Sequence, residues 1–269
     1  MTADRVAFVR RPSPQLVDGV VTHIERSSAV DAQLALRQWQ SYVDVLLAAG
    51  FAVHEVEPAP HCPDGVFIED PLLVFGDLAV IAAPGAPSRM PEVAGAREAA
   101  ANQGLRVVEL ADAPGGGRSP VGETVLDGGD VLRVGDTAYV GVGGRTTLGG
   151  AEALAHHLDG VGITVVPVPV SKTLHLKSQV TALPDGTVVG YEPLVDDPSF
   201  WPSFLAVPEP EGAHVVVLDR HTVVMSDAAP DSAALFRDRG LAAVTVPMSE
   251  FIKLEGCVTC LSVRQHDFD

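Results

Sequence analysis

The stretch Ser232-Ala233-Ala234-Leu235-Phe236-Arg237-Asp238-Arg239-Gly240-Leu241-Ala242-Ala243-Val244-Thr245-Val246 holds an amphipathic helix, a glycine and a β-branched strand. The glycine stands where a left-handed helix C-cap belongs, so the chain is expected to stop its helix there and return as a strand. Three other stretches repeat the pattern. They are Leu34 to Ala49 with Gly50 and Phe51-Ala52-Val53, Glu92 to Gln103 with Gly104 and Leu105-Arg106-Val107-Val108, and Ala151 to Asp159 with Gly160 and Ile163-Thr164-Val165-Val166. The first units recur at roughly fifty-five residues, whereas the last interval is long enough to hide a degenerate unit around Phe200 to Val207. Between the units lie further apolar runs, such as Leu73-Val74-Phe75 with Ala79-Val80-Ile81, Ala138-Tyr139-Val140, Thr187-Val188-Val189 and Val215-Val216-Val217-Leu218. A repeated unit of several strands and one helix implies a propeller or similar radial array, in which equivalent loops converge on one axis.

The chemically unusual residues fall in those equivalent loops. Asp70, Asp127, His175 and Cys260 follow the capping glycines by fifteen to twenty-three residues. A ring therefore makes neighbours of two carboxylates, a histidine and a cysteine that are far apart in sequence, which is an active-site constellation.

At 269 residues and 46% hydrophobic content the chain can bury a full core, and no composition shift divides residues 1–269, so one catalytic domain is expected. Met1 to Arg10 is too short a lead for a secretory signal, and no apolar run is long enough to span a bilayer. Three cysteines are too few for a disulfide framework and fit a reducing, cytoplasmic setting. The net charge of -17 disfavours nucleic acid and anionic membranes and mildly favours cationic small molecules.

Cys260, in Gly256-Cys257-Val258-Thr259-Cys260, is nucleophilic only as a thiolate and needs a base or cation nearby; otherwise it is an inert core cysteine. The Cys-x-x-Cys spacing also admits a metal site, with His61 and Cys62 as further ligands. His175 lies in Leu174-His175-Leu176-Lys177-Ser178, which alternates as a half-buried strand would. Opposite a cysteine it can protonate a leaving amine and later take a proton from water. Glu69-Asp70 sits between apolar runs, and buried carboxylates demand cationic partners, which a planar guanidinium supplies. Arg89 and Arg145 follow strands at similar loop positions and could clamp a carboxylate.

Nearly the whole chain resembles the dimethylargininase family of guanidino-group modifying enzymes. The resemblance rests on Asp64-x-x-Phe67-Ile68-Glu69-Asp70, Pro84-Gly85-Ala86-Pro87-Ser88-Arg89, Leu126-Asp127-Gly128-Gly129-Asp130-Val131, Leu174-His175-Leu176-Lys177-Ser178 and Thr259-Cys260-x-Ser262. It implies a pentein fold, a five-bladed α/β-propeller of ββαβ units with pseudo-fivefold symmetry. It implies Cys260 as nucleophile, His175 as acid and base, and Asp127 as the acid that orients them. Asp70 and Glu69 match carboxylates around the guanidinium and water, and Arg89 and Arg145 match the α-carboxylate clamp. Asp64 with the main-chain oxygen of Leu16 matches the α-amino site, and Leu254 and Glu255 match pocket-lining positions. Around Pro12-Ser13-Pro14-Gln15-Leu16, the lid, the chain departs from the family outside Leu16.

The resemblance further implies that methylated arginine is hydrolysed to citrulline through a covalent thiouronium, with no cofactor and with a homodimer as one assembly. Zinc at Cys260 and His175 would act as an inhibitor. Because carboxylates that bind a cation oppose thiol ionisation, the resting Cys260 is expected to be neutral. Arginine deiminase, a zinc-binding protein and an arginine-binding propeller without turnover are the other readings.

Overall fold

The computed structural model describes residues 5–26, 28–113, 118–119 and 122–265; the polar start at residues 1–4 lies outside the described residues. Five three-stranded sheets repeat one arrangement, in which the first strand pairs antiparallel with the second and the second pairs parallel with the third. Blade 1 comprises Leu72–Phe75, Leu78–Ile81 and Arg106–Glu109, and blade 2 comprises Val131–Val134, Thr137–Val142 and Thr164–Pro169. Blade 3 holds Val180–Ala182, Val188–Gly190 and Phe204–Ala206, and blade 4 holds Val215–Asp219, Thr222–Ser226 and Ala242–Val246. Blade 5 joins the two ends of the chain. Val263–Gln265 pairs antiparallel with Val6–Val9, which pairs parallel with Ala52–Glu55. This is the five-bladed α/β-propeller expected from the resemblance, closed by the register Val6 to Gln265 and Phe8 to Val263.

A helix supplies the crossover in four blades: α1 (Ala32–Ala48), α2 (Glu92–Asn102), α3 (Leu148–Leu158) and α4 (Pro230–Asp238). Asp31 caps α1 by accepting the N–H groups of Gln33 and Leu34, and Trp39, Tyr42 and Leu46 form the buried face of that helix. Gly50, Gly104 and Gly240 adopt the left-handed conformation expected after α1, α2 and α4. The cap of α3 differs from expectation: Asp159 stays right-handed, a 3₁₀ turn Asp159–Val161 follows, and Gly162 rather than Gly160 takes φ 76°. Its start is also earlier, because the Thr147 side chain accepts the Gly150 N–H.

The degenerate unit in the long interval is blade 3. Pro193 and Pro198 open 3₁₀ turns where the other blades carry a helix, since proline lacks the N–H that a helix interior needs. Tyr139, Phe200 and Trp201 pack edge to face there, with ring centroids 4.9 to 5.9 Å apart. Among the described residues no helix is long and apolar enough to cross a membrane.

Candidate active site

Each blade's first strand is entered from a loop at the same end of the ring, and these loops carry the chemistry. Asp70 precedes Leu72, Asp127 precedes Val131, His175 precedes Val180, and Cys260 precedes Val263. The fifth loop, before Val215, contributes the Ala213 carbonyl, which accepts a hydrogen bond from Thr181, and His214, whose Nε2 lies 3.1 Å from the Ser178 carbonyl oxygen. Leu174 to Ser178 is not the expected strand. His175 is extended, then Leu176–Ser178 turns as a 3₁₀ helix, because Asp130 Oδ1 accepts the Leu176 N–H at 2.8 Å and draws the chain inward.

His175 is buried between two carboxylates. Its Nε2 lies 3.2 Å from Asp127 Oδ2, and its Nδ1 lies 3.9 Å from Asp70 Oδ1. Burial opposes the charge of His175, but Asp70, Asp130 and Asp127 outweigh burial and raise its pKa to about 9. Asp127 is fully buried; its Oδ1 accepts the Gly85 N–H at 3.0 Å, and Arg145 stands 3.5 Å from Oδ2. Asp70 Oδ1 accepts the Gly129 N–H at 3.0 Å, and Oδ2 is paired with Arg89. Burial of Asp70 is outweighed by Arg89 and His175, which hold it below the usual carboxylate range. A β-carbon on Gly129 would stand 2.6 Å from His175 Nδ1 and 2.7 Å from Asp70 Oδ1, so the Asp127-Gly128-Gly129-Asp130 motif is demanded by packing as well as by turn geometry.

Cys260 is half-buried beside Glu69 and Asp70, the second of which it shares with His175, and its carbonyl accepts the Glu69 N–H at 3.3 Å. Its Sγ lies 3.4 Å from that of Cys257. The hydrogen bond to Cys257, burial, and the charges of Glu69 and Asp70 all push the Cys260 thiol well above its ordinary pKa, in the direction of a neutral resting thiol.

Three residues are placed differently from what the sequence suggested. Glu69, expected beside Asp70 at the guanidinium, has Oε1 on Lys177 Nζ at 2.6 Å and Oε2 on the Thr259 hydroxyl at 2.9 Å. Burial nevertheless outweighs Lys177 and raises the pKa of Glu69. Arg89, expected to clamp a carboxylate, is itself buried with all three nitrogens engaged, by Glu92, Asp70 and the carbonyls of Asp64 and Phe67. Arg145 is the more accessible cation. Glu255, expected to line the pocket, has φ 59° and turns its carboxylate to the N–H groups of Thr22 and His23 at 2.9 and 2.5 Å. It thereby ties down the chain that follows the 3₁₀ turn Leu16–Asp18.

Leu16, Asp64 and Leu254 do come together, around a residue that sequence reading missed. A β-carbon on Gly19 would lie 2.8 Å from Asp64 Oδ1, 3.1 Å from a Leu254 methyl and 3.2 Å from the Leu16 oxygen. Asp130, also given no role from the sequence, accepts the Thr146 hydroxyl at 2.6 Å as well as the Leu176 N–H, and burial raises its pKa to about 6. The proposed four-ligand metal set is not assembled: among the described residues no group of three or more His, Cys, Asp or Glu is placed to hold a metal, and His61 is exposed.

Asp70, Asp127 and Asp130 all act on His175, and Arg89 and Arg145 stand against the first two. A cavity of about 390 Å³ between the blades' first strands is bordered by Glu69, Lys177 and Thr259, but not by Asp127, His175 or Cys260.

No sequence-family profile matches the chain. It is 54% identical over 258 residues to N(G),N(G)-dimethylarginine dimethylaminohydrolase of Streptomyces coelicolor, covering 96% of both chains. Against the enzyme of that name from Pseudomonas aeruginosa it is 30% identical, covering 96% of this chain and 98% of the other. A cysteine-to-serine mutant of the Pseudomonas aeruginosa enzyme complexed with citrulline superposes with a TM-score of 0.86 at 28% identity, over 98% of this chain and all of that one. A histidine-to-glycine dimethylarginine dimethylaminohydrolase, solved as an adduct with S-methyl-L-thiocitrulline, superposes at 0.85 with 27% identity, over 97% of this chain and all of that one. With the ring, the convergent loops and this similarity along almost its full length, the chain belongs to the dimethylarginine dimethylaminohydrolase family.

Proposed function

We propose that this chain hydrolyses Nω-methylated arginine, both asymmetric dimethylarginine and monomethylarginine, to citrulline and dimethylamine or methylamine. The observation that carries the reading is that buried Asp70, 3.9 Å from His175 Nδ1, acts on both His175 and Cys260, its charge raising the pKa of each. Guanidinium is a poor electrophile because resonance spreads its charge, so it must be held in plane by anions while sulfur attacks from one face. Asp70 and Asp127 are the anions for that hold. The arriving cation offsets the carboxylates that keep Cys260 protonated, so the thiol gives its proton to solvent and the thiolate adds to the central carbon. His175 gives its proton to the departing amine. The thiouronium that remains is hydrolysed by water deprotonated at the same imidazole, which returns the thiolate and releases citrulline.

Arg145 binds the substrate α-carboxylate, and Arg89 joins it only by exchanging one of its present partners. Asp64 and the Leu16 carbonyl receive the α-ammonium. Gly19→Ala tests that subsite, because its methyl group would press between those two oxygens. Loss of one charged hydrogen bond, about 1.5 kcal/mol or more, raises KM on the order of tenfold with kcat changed much less. An unchanged KM would remove the subsite from this region.

The two chain ends close blade 5, which supports the whole chain acting as one catalytic unit, and the free cysteines support a cytoplasmic setting. Citrulline release from dimethylarginine, monomethylarginine and arginine, measured side by side, tests the substrate. Methylated substrates are expected to turn over fastest. Arginine as the best substrate would make the chain a deiminase, and no citrulline from any of the three would reject the reading.

A further inference from the structure

The mechanism leaves one thiol at the active site without work. Cys257 is buried, and its Sγ lies 3.4 Å from that of Cys260 and 3.2 Å from the Thr259 hydroxyl oxygen. Thr259 donates its own proton to Glu69, so Cys257 can donate to Thr259 while Cys260 donates to Cys257. The Cys260 N–H also donates to the Cys257 carbonyl at 3.2 Å. Such a turn holds its first and fourth α-carbons within about 7 Å, overlapping the distance that a disulfide spans. Closing the bond requires the sulfurs to move from 3.4 Å to about 2.05 Å, which χ1 rotations within the turn can supply. Cys260 is the outer thiol and Cys257 the sheltered one, the usual placing of an oxidised cysteine and the partner that resolves it.

We propose that Cys257 is a resolving thiol, so that a hydroperoxide converts this pair to a Cys257–Cys260 disulfide and withdraws the nucleophile until a dithiol reopens it. Cys260, neutral at rest, gives up its thiol proton as its sulfur attacks the outer peroxide oxygen; the O–O bond breaks, that proton joins the leaving oxygen, and sulfenic acid forms with release of water, or of an alcohol from an organic hydroperoxide. Cys257 sulfur then attacks the sulfenic sulfur, the S–O bond breaks, and the oxygen leaves as water with the Cys257 proton. A dithiol reverses the crosslink by exchange, becoming a disulfide itself and returning both protons. Cys62, buried elsewhere beside Arg10 and Glu92, is the internal control.

The test treats the intact protein with hydrogen peroxide, blocks free thiols with N-ethylmaleimide and locates the modifications by peptide mass spectrometry, with citrulline production followed in parallel. The expected product is one peptide carrying Cys257 and Cys260 that has lost two hydrogens and resists the blocking reagent, with Cys62 still blocked. Activity falls as that peptide accumulates and returns with dithiothreitol. In Cys257→Ser, whatever activity remains is lost to peroxide without recovery, and Cys260 appears as sulfinic or sulfonic acid. Free Cys257 beside irreversibly oxidised Cys260 in the unaltered protein overturns the proposal, as does a crosslink to Cys62 or between chains. The mass measurement does not depend on turnover, so a crosslink that forms while citrulline production continues overturns the nucleophile assignment instead.

Discussion

Cys260→Ser abolishes citrulline production, with kcat falling on the order of 10⁴-fold or more, as expected when a covalent nucleophile is removed. The hydroxyl is nearly the size of the thiol but is not ionised by the surroundings that ionise sulfur. Cys260 stands beside Glu69 and Asp70, and both oppose a negative charge at that position. A serine hydroxyl there is harder still to deprotonate, and His175, already protonated up to about pH 9, is not a free base in the resting site. Binding should persist, because the carboxylates and Arg145 are untouched. Calorimetry with dimethylarginine and a citrulline assay on the same sample check both halves. Activity within a hundredfold of the unaltered protein would place the nucleophile elsewhere.

His175→Gly lowers dimethylarginine turnover by about 10² to 10⁴, the usual contribution of a positioned acid. The deficit should depend on the leaving group. Dimethylamine needs a proton to depart, whereas the methanethiolate of S-methyl-L-thiocitrulline leaves more readily, since thiols ionise near pH 8.5. Adduct formation with the thioether is therefore expected to suffer less than amine release, and equal losses on both substrates would deny His175 the role of acid. In the unaltered protein the rise of kcat/KM with Cys260 ionisation should bend over into a level limb as pH passes about 9, where His175 loses the proton it must donate. The sign follows from the carboxylates: they favour the charged imidazole, so acid function is retained below that pH and lost above it. Asp127→Asn removes one of the raising charges and should move this limb to lower pH.

Asp127, His175 and Cys260 were legible because they precede first strands at matching places in a repeat, and repeat spacing survives in one dimension. Blade 3 was only partly legible, since its prolines erase the helix and leave a short apolar patch as the trace of a full sheet. The directions of individual side chains were not legible. Glu69 and Asp70 are adjacent and were read as a pair, but one turns to Lys177 and Thr259 and the other to Arg89 and Gly129. Gly19 gave no signal, because what excludes a side chain there is Asp64, forty-five positions away.

The sequence by itself determined the repeating unit and the loops that bear the chemistry. Helical periodicity and left-handed glycine caps are local properties, settled within a few residues of chain. Only the tertiary structure decided how the ring closes, through Val6–Val9 and Val263–Gln265, and which carboxylate faces which cation. It also decided the charge of His175 and the 3.4 Å meeting of Cys257 with Cys260. Charge states and close contacts depend on burial and on partners brought from other blades, and none of that is written in the spacing of residues along a single strand of sequence.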